Sequence, residues 1–170
     1  MEKYFRTQEG ELVNIVEHTL EQLEKWPNLT IYIGSDSQVD DGRLVYATSI
    51  VFRYGTRGAH HIFHIEDVDR IKDDFLRLYN EGVRTVETYD LLTEELPVVA
   101  TLEFDYNNMK KTLSSNLVSV FKGYHNAKFK SGEMLATKSA DHICRHWKEI
   151  RHSWKLKDDG KQQYGGLRVA

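Results

Sequence analysis

The stretch Leu29-Thr30-Ile31-Tyr32-Ile33-Gly34-Ser35-Asp36 decides how the chain is read. Its first five residues are apolar, β-branched or aromatic, which suits a strand, and it runs out onto a carboxylate. Upstream, Leu12, Ile15, Val16, Leu20 and Leu23 recur at helical spacing, so a helix is expected over residues 9–25. Pro27 closes it, because the residue before a proline is pushed out of the helical region. Downstream, Asp40-Asp41-Gly42 signals a tight turn. A second strand is expected over Arg43–Arg53, a turn over Tyr54–Gly58 and a third strand over Ala59–Glu66. Together these make an antiparallel meander.

The period then changes to that of helices. A short helix is expected over Ile71–Tyr79, stopping at Gly82, and a longer one over Thr85–Leu96, stopped by Pro97. Val98–Tyr106 reads as a strand and Ser114–Tyr124 as a helix with Ser114 as its N-cap. A short strand over Lys128–Met134 and a last long helix over Ala136–Ile150 follow. The order is an N-terminal helix, then β-β-β-α-β-α-β-α. Helical crossovers return the chain to parallel strands, so the class is α/β with a mixed sheet. One domain is expected over residues 1–151, and the polar stretch 152–170, with three glycines, as a flexible tail.

Composition narrows the function classes. In 170 residues, 40% are hydrophobic and 29% charged, an ordinary globular balance. No apolar run approaches the ~20 residues of a membrane span, and Met1 to Gln8 lacks the apolar core of a signal peptide. The single cysteine, Cys144, forms no internal disulfide and suits a reducing cytoplasm, as a buried thiol near Ile143. The net charge of −3 hides an asymmetry: residues 1–105 hold 21 acidic and 10 basic side chains, and residues 106–157 hold 3 acidic and 11 basic. A local excess of lysine and arginine is a footprint of polyanion binding.

Four acids stand where acids are awkward. Asp36 follows Ile31-Tyr32-Ile33-Gly34-Ser35, and Asp105 follows Leu102-Glu103-Phe104, each at the C-terminal end of an expected strand. Glu87 and Asp141 lie in expected helices. If the first and fourth strands are parallel neighbours, Asp36 and Asp105 leave the sheet about 4.8 Å apart. Two carboxylates so close repel unless a cation or a proton joins them. Oxygen donors of this kind favour Mg²⁺ or Mn²⁺ over zinc.

The motifs GSDSQ (Gly34 to Gln38), FRYGTRGAHH (Phe52 to His61), TVETYDLL (Thr85 to Leu92), FDYN (Phe104 to Asn107), SSNL (Ser114 to Leu117), KGY (Lys122 to Tyr124) and ATKSADHICR (Ala136 to Arg145) occur in that order. In this combination the chain resembles the YkuK-like branch of the ribonuclease H-like superfamily, from about Leu12 to Arg145. The resemblance implies a ribonuclease H-like fold, with a five-stranded mixed sheet of order 3-2-1-4-5 flanked by helices and preceded by an N-terminal helix. It implies a metal-dependent nuclease or related phosphodiester-transfer enzyme acting on RNA, DNA or a hybrid. Asp36, Glu87, Asp105 and Asp141 would be its catalytic carboxylates and the ligands of Mg²⁺ or Mn²⁺. The helix pair before Glu87 is longer than in a minimal ribonuclease H, which leaves Asp90, one turn on, as the alternative helical ligand.

The candidates for contact with nucleic acid are Lys110, Lys111, Lys122, Lys128 and Lys130, with Arg57 and Arg84. Tyr106, Phe121, Tyr124 and Phe129 are aromatic residues available for base stacking, or for a core. Eight histidines raise a zinc reading, but His142 and His146 stand without an HExxH pattern or a third ligand. There is no GxxxxGK[ST], no GxSxG and no cysteine cluster, so P-loop, α/β-hydrolase and zinc-finger readings fail. Two rivals remain: a catalytically silent nucleic-acid-binding module on the same fold, and an ATP-handling protein. The second is disfavoured by a chain too short for a duplicated domain.

Overall fold

The computed structural model describes residues 2–106 and 114–163, with side chains as far as residue 156. Lys110 and Lys111 lie outside the described residues. The elements are β1 (Tyr4–Thr7), β2 (Leu12–Asn14), α1 (Ile15–Lys25), β3 (Thr30–Asp40), β4 (Arg43–Arg53), β5 (Ala59–Asp69), α2 (Asp74–Glu95), β6 (Ala100–Phe104), α3 (Ser115–Phe121), β7 (Ala127–Phe129), α4 (Leu135–Arg145) and α5 (Trp147–Gln163). They form one mixed α/β sheet of seven strands in the order β2-β1-β5-β4-β3-β6-β7. The expected sheet of five strands is therefore corrected to seven. β1 and β2 make a hairpin, and β1 adds antiparallel to β5 through Arg6 opposite Phe63 and Thr7 opposite Ile62. The helix expected from residue 9 accordingly begins only at Ile15, where the Asn14 side chain accepts from the N–H groups of Val16 and Glu17.

The meander is longer than its apolar runs suggested. β3 and β4 pair along their full length, from Thr30 opposite Arg53 to Asp40 opposite Arg43. β6 lies parallel to β3, but only from Ile31 opposite Ala100 to Gly34 opposite Glu103. Beyond Gly34, β3 pairs with β4 alone among the described residues.

Both faces of the sheet are covered. Ile31, Ile33, Ile50, Phe52 and Ile62 pack with Leu92 of α2 and Ile15 of α1. Val45, Ala47, Phe63 and Ile65 pack on the other face with Ala140, Ile143 and Cys144 of α4. Trp147, Ile150 and Trp154 of α5 extend that second cluster, and the Trp154 ring stacks on Phe63 with centroids 5.6 Å apart. Residues 152–163, expected as a flexible tail, are thus helical, and the apolar face carrying Trp154 docks on the sheet. The helix expected over Ala136–Ile150 divides at His146 into α4 and α5.

A second correction concerns α2, one helix of 22 residues where two were expected. Gly82 does not stop it. A Cβ there would fall 2.6 Å from the Tyr106 hydroxyl and 2.5 Å from Phe121 Cε2, so the glycine permits close packing of α2 against β6 and α3. The buried residues Glu81, Thr85, Thr88 and Leu92 make one stripe at spacings of four, three and four.

Candidate metal centre

Asp36 stands on β3 opposite Ala47, on the face that α4 covers. The parallel register ends at Gly34 and Glu103. Two residues further along each strand come Asp36 and Asp105, emerging side by side where β6 leaves the sheet. α4 brings Asp141 to the same place. Its docking is fixed by Glu103, a buried carboxylate whose Oε2 accepts from Leu135 N–H (3.0 Å) and whose Oε1 accepts from Ala136 N–H (2.7 Å) and Thr137 N–H (3.1 Å). These are orphan donors of the first helical turn, and a carboxylate satisfies them well. Gly34 lets the turn settle on the strand, since a Cβ there would meet Thr137 N at 2.9 Å. Cys144, one turn beyond Asp141, directs its thiol to the Asp36 carbonyl oxygen at 3.3 Å.

The carboxyl groups of Asp36 and Asp141 lie within hydrogen-bonding reach of one another, and the Asp105 charge also acts on Asp36. Burial foremost, then these two neighbours, push the Asp36 carboxyl well above the usual carboxylate range, against the pull of the Ser37 N–H that Oδ1 accepts at 2.8 Å. Asp105 and Asp141 are open to solvent and each has a cationic neighbour: Lys130 Nζ at 3.8 Å from Asp105, and Arg145 Nε at 2.9 Å from Asp141.

A fourth carboxylate comes from the opposite face. Glu81 on α2 is 4% exposed and accepts a hydrogen bond from the Ser37 hydroxyl. Burial first, and then the Asp36 charge, hold its carboxyl raised as well. Arg77, one turn earlier on α2, donates to Ser37 Oγ at 2.9 Å and lies 3.6 Å from Glu81. The two faces come together here because β6 has ended and, among the described residues, no strand pairs with that side of β3 beside Ser37.

The structure places the other expected residues as follows. Glu87 and Asp90 are exposed on α2. Six and nine residues beyond Glu81, at 100° per residue, they project about 240° and 180° around the helix from it; Lys3, not the cluster, feels the Glu87 charge. Lys122 is exposed at the end of α3, Lys128 bonds the Glu133 carbonyl oxygen, and Lys130 neighbours Asp105. Arg57 is exposed in the β4–β5 turn, at the far end of the sheet from Asp36, over the Trp26 ring. Arg84 is engaged within the fold: it lies 3.8 Å over the Tyr46 ring and donates to Glu66 at 2.7 Å. Tyr106, Phe121 and Phe129 pack around Phe104 in the core. Sequence reasoning did not single out Glu81. The signal that finds it is its place on the Glu81-Thr85-Thr88-Leu92 stripe, which a helix broken at Gly82 conceals.

As the side chains stand, no three histidine, cysteine or carboxylate groups among the described residues already surround one point as metal ligands. The donor set nonetheless suits a hard divalent cation: four carboxylates lie near one sheet edge, two of them held above their usual range foremost by burial and then by neighbouring carboxylates. The ribonuclease H-like family profile matches residues 11–145, from the second strand to the end of α4. The chain belongs to the ribonuclease H-like family. That match spans the sheet from β3 to β7 and the four clustered carboxylates of this ribonuclease H-like chain. Comparison with curated proteins and with solved structures gives no match. No helix among the described residues is long and apolar enough to cross a membrane.

Proposed function

We propose that this chain is a metal-dependent nuclease, or a closely related phosphodiester-transfer enzyme, acting on RNA, DNA or a hybrid. Family membership makes nucleic acid the natural partner. The observation that carries the reading is the half-buried Asp36 carboxyl beside Asp141, with Asp105 and Glu81 close enough for charges to matter between them and Asp36. Asp36, Asp105 and Asp141 would hold Mg²⁺ or Mn²⁺, with Glu81 as the helical member of the set in place of Glu87 or Asp90. Bound there, divalent ions supply an activated water and stabilise the leaving oxygen in an in-line displacement at phosphorus.

The chain's own residues supply the rest. Glu103 fixes α4, and so sets how Asp141 meets Asp36. Ser37 and Arg77 orient Glu81 from either side. The motifs of the YkuK-like branch and a lone buried thiol suited to the cytoplasm belong to the same reading. The test is digestion of single-stranded, duplex and hybrid substrates with Mg²⁺ or Mn²⁺, beside Asp36→Asn. Cleavage by the parent and its loss in the variant is the expected result. Nucleic-acid binding without metal-dependent cleavage would point to a silent binding module on the same fold.

A further inference from the structure

Resting on the reading just proposed, the geometry points to Lys130 and Arg145 as resident counter-ions. They occupy Asp105 and Asp141 when no metal is bound, and a divalent cation turns them over to the phosphates of the nucleic acid.

The two outer carboxylates are each matched to one cation from a different element. Lys130 follows β7 and reaches Asp105, and Arg145 reaches back one helical turn on α4 to Asp141. Both cationic side chains are more than half exposed, at 61% and 64%. Exposed pairs of this kind are weak, and a doubly charged ion bound by several carboxylates outcompetes them. The inner carboxylates differ. Asp36 has no lysine or arginine within ion-pairing distance among the described residues, and Glu81 has Arg77, which is itself tied to Ser37 and Asp74. Displacement therefore falls on Lys130 and Arg145. Both are long, exposed side chains at the rim of the cluster, so once released they flank the place where a phosphate would approach the ions. Metal binding and nucleic-acid binding are then linked through two side chains that switch partner, and such coupling is reciprocal.

The experiment uses the full chain, with Mn²⁺ titrated alone by calorimetry, and a labelled oligonucleotide titrated by anisotropy in EDTA and in Ca²⁺. The variants are Lys130→Gln, Arg145→Gln and their double. Lys148→Gln serves as the control, because Lys148 pairs with Asp40 outside the cluster. Removing each competing cation should tighten Mn²⁺ binding roughly threefold, the worth of an exposed pair, and the control should not change. The double variant should bind the oligonucleotide more weakly than the parent in Ca²⁺, and nearly as well as the parent in EDTA, where the two cations are already engaged. A general loss of positive charge would give the same penalty in both media, and that result overturns the switch. So does Mn²⁺ affinity that is unchanged or reduced in the variants while the parent binds Mn²⁺ in an Asp36-dependent way; the metal site itself would survive that outcome. Absence of Mn²⁺ binding in the parent and in every variant overturns both.

Discussion

Glu81 and Glu87 stand on one helix, yet one is buried beside Ser37 and the other faces solvent. Their difference is a matter of angle, and it gives a direct comparison. Glu81→Gln should weaken Mn²⁺ binding and lower cleavage by at least tenfold, while Glu87→Gln should leave both within about twofold; calorimetry and initial rates decide, and the reverse ranking would return Glu87 to the site. The half-buried Asp36 and buried Glu81 carboxyls set a pH dependence. Both are raised in the folded chain, foremost by burial, then Asp36 by Asp141 and Asp105 and Glu81 by the Asp36 charge, so the folded state holds protons that the unfolded chain has lost. Their contribution to stability is complete below the ordinary carboxylate range and disappears as pH climbs through the raised values. Urea melts in EDTA should therefore show the parent losing more stability between pH 5 and pH 8 than the Asp36→Asn, Glu81→Gln double variant. Comparing the two proteins cancels the histidines, whose lowered values act in the opposite sense at acid pH. Divalent metal needs the ionised carboxylates, so it should reverse the trend. At a hundredfold excess over Kd it adds about 2.7 kcal/mol to the fold, more readily seen at pH 8 than at pH 5.

The elements show which parts of the sequence speak for themselves. β3, β4 and β5 were legible because each carries a run of apolar and β-branched residues bounded by turn signals, and the strand-end positions of Asp36 and Asp105 came with them. The β1–β2 hairpin was not: strands of four and three residues are too short to display alternation, and Leu12 fits a helical stripe as well as a strand. The division of the last helix at His146 has no glycine or proline to announce it. Gly82 misled in the other direction, since a glycine inside a helical pattern reads as a stop when its reason is tertiary. That reason yields a prediction. On an exposed helix Gly→Ala stabilises by about 1 kcal/mol, but at Gly82 the new methyl meets Phe121 and the Tyr106 hydroxyl. Overpacking in a filled core costs about 1–3 kcal/mol, so Gly82→Ala should be net destabilising in chemical denaturation and should disturb Glu81 next to it. A stabilised variant would mean that α3 gives way freely.

Over the whole molecule, the charge asymmetry of the sequence becomes a question of where the cations sit. The basic stretch from 106 to 157 is not confined to one surface. Lys130 and Arg145 border the carboxylate cluster, Lys148 is paired with Asp40 at the β3–β4 hairpin, and Arg151 lies near Asp67 on β5. Lys110 and Lys111 fall outside the described residues. Arg57 occupies the far end of the sheet, beyond the point where Thr30 pairs with Arg53, and the Arg84 guanidinium is spent on Glu66 and Tyr46. If the reacting phosphate lies beside Asp36 and Asp105, the expected contacts are Lys130 next to Asp105, Lys128 opposite Glu103 and the exposed Lys122 at the end of α3, and not Arg57. Each phosphate neutralised contributes about −0.9 to the slope of log affinity against log salt on duplex DNA, about −0.7 on a single strand. Charge reversal at Lys122, Lys128 and Lys130 together should flatten that slope by roughly one unit or more and weaken binding most at low salt. Arg57→Glu should shift neither slope nor affinity beyond the small long-range effect of one screened charge. Titrations at four salt concentrations separate the cases. A slope that ignores the three lysines and responds to Arg57 would place the nucleic acid at the opposite end of the sheet, away from the carboxylates, and the cluster would lose its claim to the scissile phosphate.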